Sequence, residues 1–327
     1  MGFELRNESQ LETLTLEVLK TSEIEGEILN SDQVRSSIAR KLGIEWAGSV
    51  DSDRTVDGVV EMMLDATLRC FEPLTPDRLF GWHAALFPTG RSGLYKIRTG
   101  DWRKDTTGPM QVVSGPMGKE TVHFQAPEAA ILESEMRSFL DWFNQSDDLD
   151  LVLKAGVAHL WFVTIHPFED GNGRITRALT EMLLAQSDKS PQRFYSMSAQ
   201  IRKERKNYYE ILETIQHGNL DITTWLEWFL NCLIRAIQST NAVLVKTLFK
   251  ATFWSLHADK QFNERQKKLL NKLLDGLEGN LTSSKWAKMA KCSPDTAIRD
   301  IQDLIEKNIL KQSKSGGRST HYELIRE

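Results

Sequence analysis

HPFEDGNGRITR, residues 166–177, is the stretch from which the rest of the chain is read. It follows the apolar run LVLKAGVAHLWFVTI, which starts at Leu151 and reads as a buried core helix because Lys154 and His159 interrupt it and Pro167 ends it. Asp170, Gly171, Asn172 and Gly173 cannot easily prolong that helix, and the glycines permit positive φ, so the backbone should form a tight loop. GRITRALTEMLLAQ then opens a second helix. A glycine-rich turn that feeds a helix N-terminus presents unpaired N–H groups and a positive dipole end, an arrangement suited to phosphate. Ile175, Leu179, Met182 and Leu183 share one face of this helix and should pack inward. Arg174, Arg177 and Glu181 share the other, with both guanidiniums directed at the loop for bidentate contacts to a polyphosphate. Asp170 suits Mg²⁺, which is held by one or two carboxylates plus substrate phosphates. His166 remains free to act as a general base, with an ordinary pKa near ~6.5.

Outward from this loop, the 327 residues are enough for two domains, and 40% hydrophobic with 26% charged residues is ordinary for a globular chain with a real core. A net charge of -4 argues against a surface that binds polyanions throughout. Cys70, Cys232 and Cys292 lie far apart, with neither zinc-type nor disulfide-framework spacing, which fits a reducing cytoplasm. The start MGFELRNESQ has neither an export pattern nor a myristoylation pattern, and no membrane association is expected.

The first ninety residues read as helical. A capping box at Ser9 and Glu12 opens a helix from about residue 10 to 29, and SDQVRSSIARKLGI and VDGVVEMMLDATLRCFEPL follow. MQVVSGPMGKETVHF alternates around a glycine-rich centre as a hairpin would, the one β element expected before the C-terminus. PEAAILESEMRSFLDWFNQ begins a helix with proline and acidic residues in its first turn. Helices are also expected from Pro191 through Ile215 and from Asp221 to about Phe253. The last residues pattern as three helices, with Ser283 or Ser284 capping the second and Ser293 with Pro294 opening the third. The strands ILKQS and THYELI then flank KSGGRS, completing a winged helix-turn-helix pattern.

His166-Pro167-Phe168, Asp170-Gly171-Asn172-Gly173-Arg174 and Arg177 match, position for position, the HPFx(D/E)GN(G/K)RxxR motif, and the chain thereby resembles the Fic family, whose typical members are AMP transferases. Nine fixed positions give a chance match on the order of 10⁻⁹. The resemblance implies a mainly α fold: a Fic-type helical core with a β-hairpin flap, plus the winged helix. It implies that His166 deprotonates a Tyr, Thr or Ser hydroxyl of a target protein, which attacks the α-phosphorus of ATP as pyrophosphate leaves. Asp170 would hold Mg²⁺, while Gly171, Asn172 and Gly173 cradle the α- and β-phosphates. Arg174 would take the β-phosphate and Arg177 the γ-phosphate, with Phe168 anchoring the loop. The flap, about residues 110–124, would dock the target by strand addition through Val112, Val113, His123 and Phe124. RKNYYEIL resembles the family's segment near the adenine, which makes Asn207, Tyr208 and Tyr209 nucleotide contacts.

TSEIEGEIL matches a second family pattern, (S/T)xxxE(G/N), through Thr21, Glu25 and Gly26. In relatives that carry it, an inhibitory helix sets the glutamate against the second motif arginine, here Arg177. A carboxylate there competes with the γ-phosphate for the same donors. Low basal activity that rises on Glu25→Gly is therefore expected. TSEIEGEILNSDQVRSSIARKLG resembles the leader of bacterial Fic proteins with a C-terminal winged helix, and relatives of that kind carry additional residues before it, so the start is read as shortened.

The expected division is a helical region at 1–90 with the inhibitory helix, a catalytic core at 91–240, a helical linker at 241–262 and a winged helix at 263–327. Three alternatives stay open: removal of AMP, transfer of another group such as UMP or phosphocholine, and a DNA-binding regulator. The last rests on residues 263–327, where 13 Lys and Arg face 9 Asp and Glu. Their third helix exposes Asp295, Asp300, Asp303 and Glu306 beside Arg299 and Lys307, a poor surface for phosphate-lined grooves, and the wing with Lys314 and Arg318 suits DNA better. Self-modification and a homodimer are compatible with the same sequence.

Overall fold

The computed structural model describes residues 3–44, 50–106, 108–115, 119, 121–145, 148–190, 192–274, 276–277, 279–313 and 321–325. It falls into two compact units, Met1–Thr240 and Asn241–Glu327.

In the first unit the central elements are α6 (Leu151–Ile165) and α7 (Asn172–Ser187). α6 is apolar around its circumference, and α7 is buried from Asn172 to Ala185 except at Gly173. A helix buried on all sides must sit inside a shell of others. That shell comprises α1 (Phe3–Ile24), α2 (Ser31–Leu42), α3 (Arg54–Leu68), α4 (Pro76–Leu86), α5 (Ala129–Asn144), α8 (Met197–Lys203), α9 (Arg205–Gln216) and the start of α10 (Thr223–Leu256). One continuous core joins them, from Leu11 and Val18 through Val59 and Met63 to Leu179, Met182 and Trp225. The expected inward packing of Ile175, Leu179, Met182 and Leu183 is present. Arg174, Arg177 and Glu181, on the second face of α7, are buried as well.

α1 departs from its expected bounds at both ends. It begins at Phe3, which leaves Ser9 buried within the helix, so Ser9 and Glu12 are not a capping box. It ends at Ile24 because Gly26 takes φ 87°. The N–H groups of Gly26 and Glu27 donate to Glu23 O and Ser22 O, at 3.1 and 3.0 Å, the two bonds of a Schellman C-cap. Glu25 and Glu27 thus flank a rigid helix end.

Two small sheets lie between α4 and α5. The expected hairpin pairs β3 (Gln111–Ser114) with β4 (Thr121–Gln125), with a bulge between Val112 and Val113. It is not the only β element before the C-terminus, since β1 (Arg91–Ser92) pairs with β2 (Tyr95–Lys96) around Gly93. No acidic residue lies in the first turn of α5, and Asp105 instead accepts from Ala129 N at 2.7 Å. Residues 192–196 are not helical; α8 starts only after Ser196 caps it, and Glu204 separates α8 from α9.

The second unit holds α11 (Glu264–Leu274), α12 (Ser283–Ala290) and α13 (Pro294–Glu306), followed by antiparallel β5 (Leu310–Gln312) and β6 (Tyr322–Leu324). Trp286, Leu269, Leu270, Ile301 and Leu304 form its core. Ser293 caps α13 as expected, whereas α12 is capped by Thr282, not Ser283 or Ser284. Asp300 is not exposed. It is buried, and both its oxygens accept from Arg265 at 2.8 and 3.0 Å. The hairpin tip with Lys314 and Arg318 lies outside the described residues.

Candidate active site

α6 stops at His166, which takes left-handed backbone angles, φ 53° and ψ 59°. A residue other than glycine takes that conformation uncommonly, although histidine does so more readily than most. The ring of His166 lies with Nδ1 3.2 Å from Val163 O. A carbonyl only accepts, so Nδ1 carries the proton and Nε2 keeps its lone pair. Burial pushes the imidazole down to about 4, Arg103 adds to that, and the Val163 carbonyl, Glu25 and Asp170 pull the other way. This replaces the ordinary value expected from the sequence: the ring is a neutral base at neutral pH.

The next residues build the loop. Phe168 is wholly buried, with its ring stacked on His83 at 4.2 Å between centroids. Asn172 turns its side chain back, accepting from Phe168 N at 2.9 Å and donating to Phe168 O at 2.8 Å. That side chain holds the loop closed. Gly171 has φ 82°, and a Cβ there would meet the Phe87 ring at 2.9 Å, so only glycine fits. α7 begins with no side chain capping it. Its first N–H groups therefore face the loop with the positive end of the helix dipole.

Asp170 is half-buried on this loop. One carboxylate oxygen accepts from Gly171 N at 2.5 Å and the other from the Ser92 hydroxyl of β1. Among the described residues no group of three or more His, Cys, Asp or Glu side chains is arranged to hold a metal. A lone oriented carboxylate beside a phosphate-type loop fits Mg²⁺, which takes its remaining ligands from phosphates and water, and does not fit a zinc-type cage.

Both arginines of α7 run to the end of α1. Arg177, 2% exposed, donates from Nε to Thr21 Oγ1 at 2.7 Å and from Nη2 to Thr21 O at 2.9 Å and Glu25 Oε1 at 2.7 Å. Arg174 donates from Nη1 to Glu27 Oε2 at 2.8 Å and lies over the Phe87 ring. Arg177 Nη1 and Arg174 Nε are buried without a hydrogen-bond partner. A Cβ at position 173 would overlap the Glu25 carboxylate, so that carboxylate lies directly on the loop glycine. Thr21, Glu25, Gly173 and Arg177 are thus brought together from opposite parts of the chain. Glu181 is not part of this cluster, because it pairs with Arg193.

The more distant candidates divide. Tyr208 is buried, with its hydroxyl 2.9 Å from His159 Nε2, and burial raises its phenol against the pull of the Arg177 guanidinium. Tyr209 and Asn207 are exposed, and the Arg205 guanidinium lies over the Tyr209 ring. On the hairpin, Val112 and Phe124 pair on one half-buried face, while Val113 is exposed. His123 Nδ1 lies 2.9 Å from Glu213 Oε2 and Nε2 2.6 Å from Ser114 Oγ, which ties β4 to α9.

Sequence reasoning missed four residues that touch the site. They are Glu27 on Arg174, Ser92 on Asp170, His83 with Nε2 3.2 Å from Asp170 O, and Arg103 with Nε 2.8 Å from His166 O. Gly100 N donates to His83 Nδ1 at 3.1 Å, so Nε2 carries the proton to the loop carbonyl, and burial holds His83 down at about 4. Only Glu27 had a visible signal, an acidic residue two places after Glu25. His83 is one polar residue within the apolar helix α4, and Ser92 and Arg103 stand singly in turn-rich sequence.

Residues 73–184 match the Fic/DOC family, and residues 1–44 match a domain of unknown function, DUF4172. A protein adenylyltransferase Fic from Nematostella vectensis is 35% identical over 118 residues, 35% of this chain and 25% of that protein. One from Drosophila willistoni is 34% identical over 105 residues, 32% of this chain and 20% of that protein. The chain therefore spans a quarter or less of the length of these curated relatives. A solved Fic family protein from Desulfovibrio desulfuricans superimposes with a TM-score of 0.53 at 20% identity, covering 100% of this chain and 89% of that one. A Fic domain containing signaling protein from Bacteroides thetaiotaomicron also gives 0.53 at 20% identity, over 76% of this chain and 92% of that one.

Proposed function

On the premise that residues 73–184 form a Fic domain within a mainly helical Fic-type fold, we propose that the chain is a protein adenylyltransferase held in check by its own helix α1. One arrangement carries this reading. A neutral His166 with a free Nε2 stands at the mouth of an uncapped helix N-terminus, flanked by two buried arginines that each keep an unpaired donor.

The chemistry follows from those groups. ATP lies with its phosphates on the N–H groups of Gly171, Asn172 and Gly173, Arg174 takes the β-phosphate and Arg177 the γ-phosphate. A target hydroxyl is brought along the β3–β4 hairpin by strand pairing. Nε2 of His166 takes the hydroxyl proton while the oxygen forms its bond to the α-phosphorus. The bond from that phosphorus to the bridging oxygen breaks, and pyrophosphate carries away the electron pair. Asp170, oriented by Ser92, would hold Mg²⁺ with the phosphates, and the ion when bound neutralises charge on the leaving group. The Val163 carbonyl fixes the tautomer that leaves Nε2 available. Tyr209 and Asn207 flank the base.

Restraint follows from the same donors. Glu25 occupies Arg177 and covers Gly173, and Glu27 occupies Arg174, so both phosphate ligands are paired with carboxylates of α1's end. The oxygen of a γ- or β-phosphate must displace a carboxylate from each arginine before the triphosphate can settle for in-line attack. The second unit we read as a docking module, since α13 presents Asp295 and Glu306 outward and has Asp300 buried against Arg265. Three free cysteines and a nucleotide substrate suit the cytoplasm. Among the described residues no helix is long and apolar enough to cross a membrane.

The test is to supply Glu25→Gly protein and cell-lysate protein with ATP labelled at either the α- or the γ-phosphorus. Label should enter protein from the α position and not from the γ. Label from γ would identify phosphoryl transfer and refute the reading, and loss of AMP from previously labelled protein would turn it towards AMP removal.

A further inference from the structure

Arg103, which no motif singled out, joins three segments through one buried guanidinium. Its Nε donates to His166 O at 2.8 Å, Nη1 to Asp105 Oδ1 at 2.6 Å and Nη2 to Pro127 O. Its backbone N–H donates to Pro167 O at 2.9 Å. Two consecutive carbonyls of the catalytic turn are therefore held by one residue. The other two arms reach Asp105, six residues before β3, and Pro127, two residues after β4. These are the feet of the hairpin: Ala126 N donates to Met110 O at 2.9 Å across its base, and Asp105 also accepts from Ala129 N at the start of α5.

We propose that Arg103 is a positioning residue which sets the distance between a hydroxyl presented on the β3–β4 hairpin and Nε2 of His166. The inference rests on the adenylyltransferase reading and adds the coupling between its two halves. His166 holds a left-handed backbone that costs about 1–2 kcal/mol in an L-residue, so its carbonyl needs a fixed partner for the ring to stay aimed. A guanidinium is a rigid planar fork, and what it holds on one arm is fixed relative to what it holds on the others. Arg103 thus makes the hairpin's feet and the base's backbone one body. Neither the α7 N-terminus nor Arg174 nor Arg177 touches it, so nucleotide binding should be insensitive to its loss.

The experiment takes the full-length Glu25→Gly protein as parent and adds Arg103→Lys or Arg103→Gln. ATP affinity is measured by calorimetry, melting temperature by scanning, and transfer as the initial rate of label from α-³²P-ATP into lysate protein at saturating ATP. Both variants should transfer at least about ten-fold more slowly, with Arg103→Lys retaining more rate than Arg103→Gln, while ATP affinity stays within about two-fold of the parent. That separation of rate from binding is what a purely structural role cannot produce, because unfolding removes ATP sites and rate together. A variant that transfers as fast as the parent, or that loses ATP sites in proportion to rate, overturns the proposal. If Arg103→Gln does not fold, Arg103→Lys, which keeps the charge and loses the fork, decides alone. A parent that binds ATP and transfers no label refutes the adenylyltransferase reading itself.

Discussion

Replacing Glu25 by Gln removes one charge and almost no volume from the contact between α1 and α7. Arg177 is 2% exposed and Glu25 32%, so the pair at 2.7 Å is neither a surface ion pair nor a fully buried one. A charge-assisted hydrogen bond is worth about 1.5–3 kcal/mol, and with Arg177 buried and Glu25 less than a third exposed, solvent screening places this one towards the lower end. In the free protein this energy is lost. With about 2–4 °C per kcal/mol for a unit of this size, melting should fall by roughly 3–12 °C. In the presence of ATP the sign reverses, because the γ-phosphate no longer competes with a carboxylate for Arg177. At about 1.4 kcal/mol per decade, ATP should bind roughly 10- to 100-fold more tightly to Glu25→Gln. ADP has no γ-phosphate and should bind both proteins alike. Calorimetric titration of each nucleotide into native and Glu25→Gln protein, with Mg²⁺, reads all of this. An equal gain for ADP would assign Glu25 to another phosphate, and no gain for ATP would remove it from the site.

Glu27→Gln frees Arg174, the proposed β-phosphate ligand, and should tighten ATP and ADP together by about ten-fold in the same calorimetry; a gain confined to ATP would contradict the proposed division between the two arginines. Asn172→Ala breaks the paired bonds that close the loop on Phe168, and should lower stability by about 2–3 kcal/mol in urea melts; an unchanged midpoint would mean the loop is held otherwise. Burial holds His159 at about 3 and His83 at about 4, from 6.5. Between pH 6.5 and 4 the unfolded chain binds protons that the folded one does not, so these two rings contribute stability above pH 6.5 that is lost as pH falls, by about 2–3 kcal/mol per pH unit. Glu181 acts in the opposite sense above its unfolded value, since burial raises its carboxyl against the pull of Arg193. His159→Gln should flatten the acid side of a plot of urea midpoint against pH, and an unchanged slope would refute the assignment.

The loop was the most legible part of the chain because its constraints are local. Gly171 needs a positive φ, Asn172 reaches back only four residues to Phe168, and His166 stands at the helix end that Pro167 enforces. Burial around α7 was not legible. Helical spacing placed Arg174, Arg177 and Glu181 on the second face with the guanidiniums towards the loop, and it did not show that each meets a partner far along the chain or on the next loop: Glu27, Glu25 and Arg193. A periodic pattern records which residues share a face, and it carries no information on whether another charged element will cover that face. The bounds of α1 failed for a related reason. Ser9 and Glu12 have the spacing of a capping box, but six further residues extend the helix in front of them, and the helix ends before Gly26, whose positive φ stops it short of Leu29. Arg103 left no trace because its partners are two carbonyls and one carboxylate, and carbonyls have no sequence identity.

The most direct test of the account is transfer of label from α-³²P-ATP with Mg²⁺ into lysate protein, comparing the native chain, Glu25→Gly, and Glu25→Gly combined with His166→Ala. The account predicts weak labelling by the native chain, labelling stronger by about ten-fold or more with Glu25→Gly, and none once His166 is gone although ATP still binds. Labelling that survives His166→Ala would contradict the assignment of the base, and a Glu25→Gly protein that binds ATP and labels nothing would contradict the central claim.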